Sequence, residues 1–245
     1  ARRLRVVDGG GRVLAPGFID LHTHGDPLER AFTPFLAMGV TTVVLGQDGG
    51  SPSLAGSARE PGALAAWMDA VSAAAPDVNV ATLSGHGALR RRAGIDDGTR
   101  RPSAAQLERL QAVLADDLRA GAFGMSTGLE YVPGRYAAPP ELAALGPVLA
   151  GFDAVAMSHM RSEDADDVRD SIRELVATAG PARAHVSHLK MVHGEGVAIL
   201  FPEWALPPAD YAAVLAARRA ELRAWLQQRM EARGGPGALL FGTGP

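Results

Sequence analysis

The chain has 245 residues, 47% hydrophobic and 21% charged, a composition of ordinary globular type and a length for one large domain or two small ones. A formal net charge of -3 without any acidic or basic block gives no electrostatic support for nucleic-acid or membrane-surface binding, and no apolar run approaches the length of a membrane span. The absence of cysteine excludes disulfides, thiolate ligands and a thiol nucleophile, and it fits a cytoplasmic setting. The N-terminal stretch has neither an initiator Met nor the apolar core of a signal peptide, so its first residue need not be the native start.

Short apolar segments alternate with helical ones. Strands are expected at 17–21, 39–45, 78–83, 121–126, 153–158 and 182–187. Helices are expected at 61–75, at 104–120 behind an N-capping Ser103, at 140–150, at 165–179, and near 208–233 before a Gly-Gly-Pro stop. This alternation argues for βα units and a parallel sheet, with the choice between a doubly wound sheet and a barrel left open. The run Arg90-Arg91-Arg92 is read as a solvated polar loop.

Histidines recur where strands end. His22 and His24, two residues apart after an apolar strand, point to one face, where two imidazoles can share a divalent ion. His159 and His188 each end an apolar strand behind a serine. Polar groups at several strand ends are what a (β/α)₈ barrel uses to build a site. The bland alternative is a set of hydrogen-bonded core histidines; the repeated placement counts against it. His86 follows the third expected strand and is a candidate to support the site from behind. His185 should face away from His188 because it is an odd number of residues away, and His193 falls in a loop. Lys190 is the one lysine among 23 arginines. A compact ammonium and a planar guanidinium differ inside a site, so its survival within Ser-His-Leu-Lys argues for a role.

Together the segments Gly-Phe-Ile-Asp-Leu-His-Thr-His-Gly-Asp from Gly17, Gly-Val-Thr-Thr-Val-Val-Leu-Gly-Gln-Asp-Gly from Gly39, Gly-Met-Ser-Thr-Gly-Leu-Glu-Tyr-Val-Pro-Gly from Gly124, Ser-His-Met-Arg from Ser158 and Ser-His-Leu-Lys from Ser187 resemble the amidohydrolase superfamily, in its N-acyl-D-amino-acid deacylase (D-aminoacylase) branch. The motifs occur in order over most of residues 13–193. The resemblance implies an α/β fold, a TIM-like (β/α)₈ metal-dependent hydrolase barrel, with about six strands recognisable and therefore incomplete here. Residues 1–16 would be the remnant of a small β-domain, and 17–245 the barrel domain. It implies one or two divalent ions, Zn²⁺ above all, with His22 and His24 at one position and His159 and His188 at the other. Asp48 stands where the family often has cysteine; a carboxylate also binds Zn²⁺ but is a harder ligand. Tyr131, Lys190 and Arg161 would face a small N-acyl amino acid, and the reaction would be deacylation of an N-acyl-D-amino acid at its amide bond.

The chain departs from the family pattern in lacking most of the small β-domain, a seventh strand after Gly196, and the eighth strand with its catalytic aspartate, so the catalytic residue stays unassigned. Rival readings are another amidohydrolase of the dihydroorotase or dipeptidase type, an inactive fragment, and a serine hydrolase. The first would use a bridging lysine, and Lys190 is in the wrong place for that. The last rests on Gly-Met-Ser-Thr-Gly, residues 124–128, which matches the nucleophile elbow, though the residues that follow do not start a helix cleanly.

Overall fold

The computed structural model describes residues 8–164 and 166–190. One compact unit is formed by Ala1–Glu163 with Asp167–Leu189; Lys190 belongs to a second unit together with Asp164–Asp166. The helix expected near 208–233, and His193, lie outside the described residues.

Seven strands are described: β1 (Phe18–Asp20), β2 (Val40–Leu45), β3 (Asn79–Thr82), β4 (Ser84–Gly85), β5 (Gly124–Gly128), β6 (Val155–His159) and β7 (Arg183–Val186). Their order is β1-β2-β3 in one sheet and β4-β5-β6-β7 in the other, and every pairing is parallel. Sequential neighbours in parallel register, with helices between them, are the arrangement of a (β/α) barrel arc. The third expected strand, 78–83, is observed as β3; the Leu83 amide continues its pairing to the Leu45 carbonyl at 2.9 Å, and β4 begins at the next residue in the other sheet.

The helices are α1 (Thr33–Ala37), α2 (Ala63–Ala74), α3 (His86–Arg92), α4 (Ala104–Ala120), α5 (Pro139–Ala143), α6 (Gly146–Gly151) and α7 (Val168–Ala179). Ser103 caps α4 as expected: its hydroxyl accepts from the Gln106 amide while the Gln106 side chain accepts from the Ser103 amide. The helix expected at 140–150 breaks into α5 and α6, where Gly146 and Pro147 interrupt it. In α7, Val168, Ser171, Leu175 and Thr178 are buried at spacings of three and four, one stripe facing inward. Leu45, Leu64, Trp67, Leu89, Leu110, Leu114, Met125 and Leu145, contributed by strands and helices alike, make one core between the sheets and their helices.

The arginine run is not a solvated loop. It forms α3, whose turns carry Arg90 and Arg92 inward. Arg90 is fully buried and gives Nη1 to both Glu141 oxygens at 2.7 Å, while Nη2 reaches the carbonyls of Thr99 and Asp96. Arg92 pairs with the buried Asp117 at 2.7 Å. A partner carboxylate and further carbonyl acceptors offset the desolvation of a buried guanidinium, and those partners are what the polar reading of the run missed.

Among the described residues, no helix is long and apolar enough to cross a membrane.

Candidate metal centre

Four strands deliver side chains to one place. His22 and His24 follow β1, Asp48 follows β2, His159 is the last residue of β6, and His188 stands two residues past β7. Nε2 of His22 and Nε2 of His24 are 3.2 Å apart, and they lie 3.4 and 3.3 Å from Asp48 Oδ2. On the other side Nδ1 of His159 is 2.9 Å from Nε2 of His188. Ligand-type atoms of His22, His24 and Asp48 cluster within 4.8 Å of one another, and so do those of Asp48, His159 and His188. Asp48 belongs to both groups and is the hinge between them. The rings of His22 and His188 are 5.5 Å apart.

The chemistry of this donor set fits a divalent cation. Imidazole nitrogens brought edge to edge beside a carboxylate repel one another unless protonated or bridged by positive charge, and three such donors match the N/O ligand sets of zinc sites. Oδ1 of Asp48 and Nδ1 of His22 are buried without hydrogen-bond partners. Burial lowers the His22 imidazole below its ordinary pKa of 6.5, with Asp48 opposing this and the nearby histidines adding to it, a shift toward the neutral form that can donate a lone pair.

Local structure explains how Asp48 is presented. Its φ of 53° is left-handed, a conformation that aspartate tolerates better than most residues. Two side chains hold the loop around it. Gln47 donates from Nε2 to the carbonyls of Leu21 at 2.9 Å and Val44 at 3.0 Å, tying the end of β1, where His22 begins, to the end of β2. Ser126 donates its hydroxyl to the Gly46 carbonyl at 2.5 Å and accepts from the Gly49 amide at 3.0 Å, clamping the loop on both sides of Asp48.

That clamp also disposes of the serine-hydrolase reading. Ser126 is fully buried in the middle of β5, which runs on through Gly128 as strand with no helix directly after it. The Gly-Met-Ser-Thr-Gly string serves close packing: its serine fastens the neighbouring loop and its glycines admit neighbouring backbone.

The other expected residues divide. Tyr131 reaches the site, its hydroxyl 3.2 Å from His159 Nδ1. Arg161 does not reach the histidines with its guanidinium. It is bound to Glu174, with Nε at 2.8 Å, and to the carbonyls of Arg135 and Ala137, so it fastens α7 to the segment after β5. It stands two residues past the end of β6, between that strand and α7. Lys190 is exposed and belongs to the second unit. His86 is completely buried, with Nε2 2.9 Å from Glu141, and so belongs to the Arg90 network rather than to the metal ligands' support. His185 is exposed on β7, as its register requires.

Sequence reasoning gave no role to Gln47, Glu130 or Glu163, and read Ser126 only as a candidate nucleophile. Glu130 Oε2 lies 2.8 Å from His159 Nε2, and Glu163 Oε1 lies 2.6 Å from His188 Nδ1. Nothing in the local pattern marks them except the position of Glu130 inside the Gly-Leu-Glu-Tyr string.

Comparison with known proteins agrees with this geometry. The model of the Amidohydrolase family matches residues 5–198. The N-acyl-D-glutamate deacylase of Alcaligenes xylosoxydans xylosoxydans is 39% identical over 190 residues, which are 71% of this chain and 38% of that protein. The D-aminoacylase of the same organism is 33% identical over 174 residues, 64% of this chain and 36% of that one. Among solved structures, the N-acyl-D-glutamate deacylase from Bordetella bronchiseptica, complexed with zinc and a phosphonate mimic of the reaction's tetrahedral intermediate, superposes with a TM-score of 0.65. It has 32% identity and covers 85% of this chain and 45% of its own. A D-aminoacylase structure gives 0.63 at 30% identity, over 74% of this chain and 42% of its own. The chain thus spans less than half the length of these relatives. Parallel βα units, histidines converging at strand ends and a family match over most of the sequence lead to one assignment: this chain belongs to the amidohydrolase family.

Proposed function

We propose that the chain carries the metal-binding half of a hydrolase that removes the acyl group from N-acyl-D-amino acids by cleaving their amide bond. The observation that carries this reading is the convergence of His22, His24, His159 and His188, from three strand ends, on Asp48 at a fourth, in a chain similar to deacylases of that substrate class.

In this reading His22 and His24 with Asp48 would hold one cation, and His159 and His188 with Asp48 another. Zn²⁺ bound there would supply Lewis acidity toward an amide carbonyl and toward water near neutral pH. The protein's own residues do the rest. Gln47 and Ser126 keep Asp48 at the meeting point of the two histidine pairs, so the ligands need no rearrangement before a substrate arrives. Tyr131, beside His159, offers its hydroxyl to a substrate oxygen. Lys190 supplies the cation that a free α-carboxylate requires.

The test is an assay of the full-length protein, loaded with Zn²⁺, on N-acetyl-D-amino acids including D-glutamate and D-aspartate, with the L enantiomers as controls. Release of free D-amino acid that stops on chelation and returns with Zn²⁺ is expected. Release that persists after complete chelation would refute the reading.

A further inference from the structure

The histidines of the Asp48–His159–His188 group use different ring nitrogens. His159 presents Nδ1 and His188 presents Nε2, the two meeting at 2.9 Å. The opposite nitrogen of each ring meets a carboxylate: Nε2 of His159 meets Glu130 at 2.8 Å and Nδ1 of His188 meets Glu163 at 2.6 Å. A carboxylate accepts but does not donate, so each one draws the ring proton to its own side. The Glu130 contact is a formed hydrogen bond; that of Glu163 is a close ion-pair contact. Both partners select the tautomer that leaves a lone pair on the inward nitrogen; that of His159 is met by the Tyr131 hydroxyl at 3.2 Å, which a cation would displace. His22 has no such partner, its Nδ1 being buried without one.

We infer that Glu163 and Glu130 are positioning residues of the metal centre. They fix the His188 and His159 tautomers in opposite senses so that both lone pairs point at one cation shared with Asp48. This rests on the metal reading proposed above. A carboxylate behind a ligating imidazole orients the ring and raises its basicity, and losing it weakens metal affinity about 10–100-fold. The contribution of Glu163 is the larger of the two. Its side chain is fully buried, where water cannot replace it, whereas that of Glu130 is 48% exposed. The same asymmetry ranks the two cation positions: His159 and His188 are each backed by an anion, while His22 is not. The first cation therefore binds on the His159–His188 side.

The experiment measures Zn²⁺ affinity of the full-length protein by competition with a chromophoric chelator, for the wild type, Glu163→Gln, Glu163→Leu, Glu130→Gln and His188→Ala. The apo-protein melting temperature is followed alongside, and Co²⁺ absorption serves as a ligand-field readout. The first Zn²⁺ should bind about 10–100-fold more weakly in Glu163→Leu. Glu163→Gln should fall between it and wild type, because an amide oxygen still accepts the ring proton. Glu130→Gln should lose less than Glu163→Gln, and the Co²⁺ band should shift in both glutamine variants. Should Glu163→Leu fold poorly, Glu163→Gln decides alone. If His188→Ala abolishes first-site binding while Glu163→Gln and Glu130→Gln both stay within twofold of wild type with an unshifted Co²⁺ band, the positioning role is wrong and the metal reading stands. If His188→Ala keeps full Zn²⁺ affinity, the metal reading itself fails.

Discussion

Gly128 lies so close beneath Asp48 that a Cβ built on it would sit 2.2 Å from the Asp48 carbonyl oxygen. The approach is backbone to backbone, so neither side can give way by turning a side chain. Gly128→Ala should displace the loop that carries Asp48 and lower Zn²⁺ content together with activity, while the helices remain folded by circular dichroism. Ser126→Ala attacks the same loop more gently, leaving the Gly46 carbonyl and the Gly49 amide without their partner at a cost of about 1–3 kcal/mol. A Gly128→Ala protein with unaltered Zn²⁺ content would show that the loop does not depend on this contact.

The two histidine pairs should not be equivalent. His159→Ala should lower the metal content of the purified protein more than His22→Ala, because His159 sits in the core while His24, beside His22, is 65% exposed at its side chain. Elemental analysis decides this. Metal content untouched by His159→Ala would remove that residue from the ligand set.

Asp48 should also set the metal preference. A carboxylate favours harder cations than a thiolate does, so Asp48→Cys should shift the ratio of affinities from Mn²⁺ toward Zn²⁺ and Cd²⁺. Paired titrations of both variants measure the ratio, and an unchanged ratio would mean that Asp48 is not in contact with the ion.

Lys190→Met removes the compact charge proposed for the substrate carboxylate. It should raise KM strongly for N-acyl-D-amino acids, with less change for an acyl amide that lacks the carboxylate. Equal kcat/KM for mutant and wild type on the acidic substrates would rule the role out.

Glu141 connects the buried network to pH. Burial by itself would raise its carboxyl, but the hydrogen bond and charge of His86, and then Arg90, outweigh this and hold it below its ordinary value of 4.5. A depressed carboxylate adds stability that is fully present above the unfolded value and is lost as pH falls through the folded one. Stability should therefore drop as pH falls below about 4.5. Glu141→Gln should be less stable at neutral pH by about 3–5 kcal/mol, since it leaves Arg90 buried without its anion, and it should show a flatter acid limb. Urea unfolding from pH 7 to pH 3 gives both quantities. Parallel acid limbs would assign the acid sensitivity to other groups.

The histidines that converge were legible in the sequence because their signal is local: an apolar strand followed at once by a histidine, repeated three times. Asp48 was legible only by resemblance, since a lone aspartate after Gly-Gln looks like any turn residue. The residues that support them were not legible for a different reason. Ser126 acts on Gly46 and Gly49, and Glu130 acts on His159, between segments that meet only after folding. Ser126 was visible but misread, because a Gly-x-Ser-x-Gly string has one pattern for two geometries. Arg90 and Arg92 were misjudged because charge in sequence says nothing of a buried partner such as Glu141 or Asp117.

His22 and His188 come nearly from opposite ends of the described chain, yet their rings are 5.5 Å apart. Contacts of such long sequence separation form only after the intervening loops have been closed, at an entropic cost that local helices do not bear. Metal uptake during refolding would then report the last stage of assembly rather than the first, lagging behind the helical signal. An ion held only by the assembled state would also act as a latch: at one hundred times its Kd it adds about 2.7 kcal/mol against unfolding. The centre that serves chemistry would thereby keep the two ends of the strand series together.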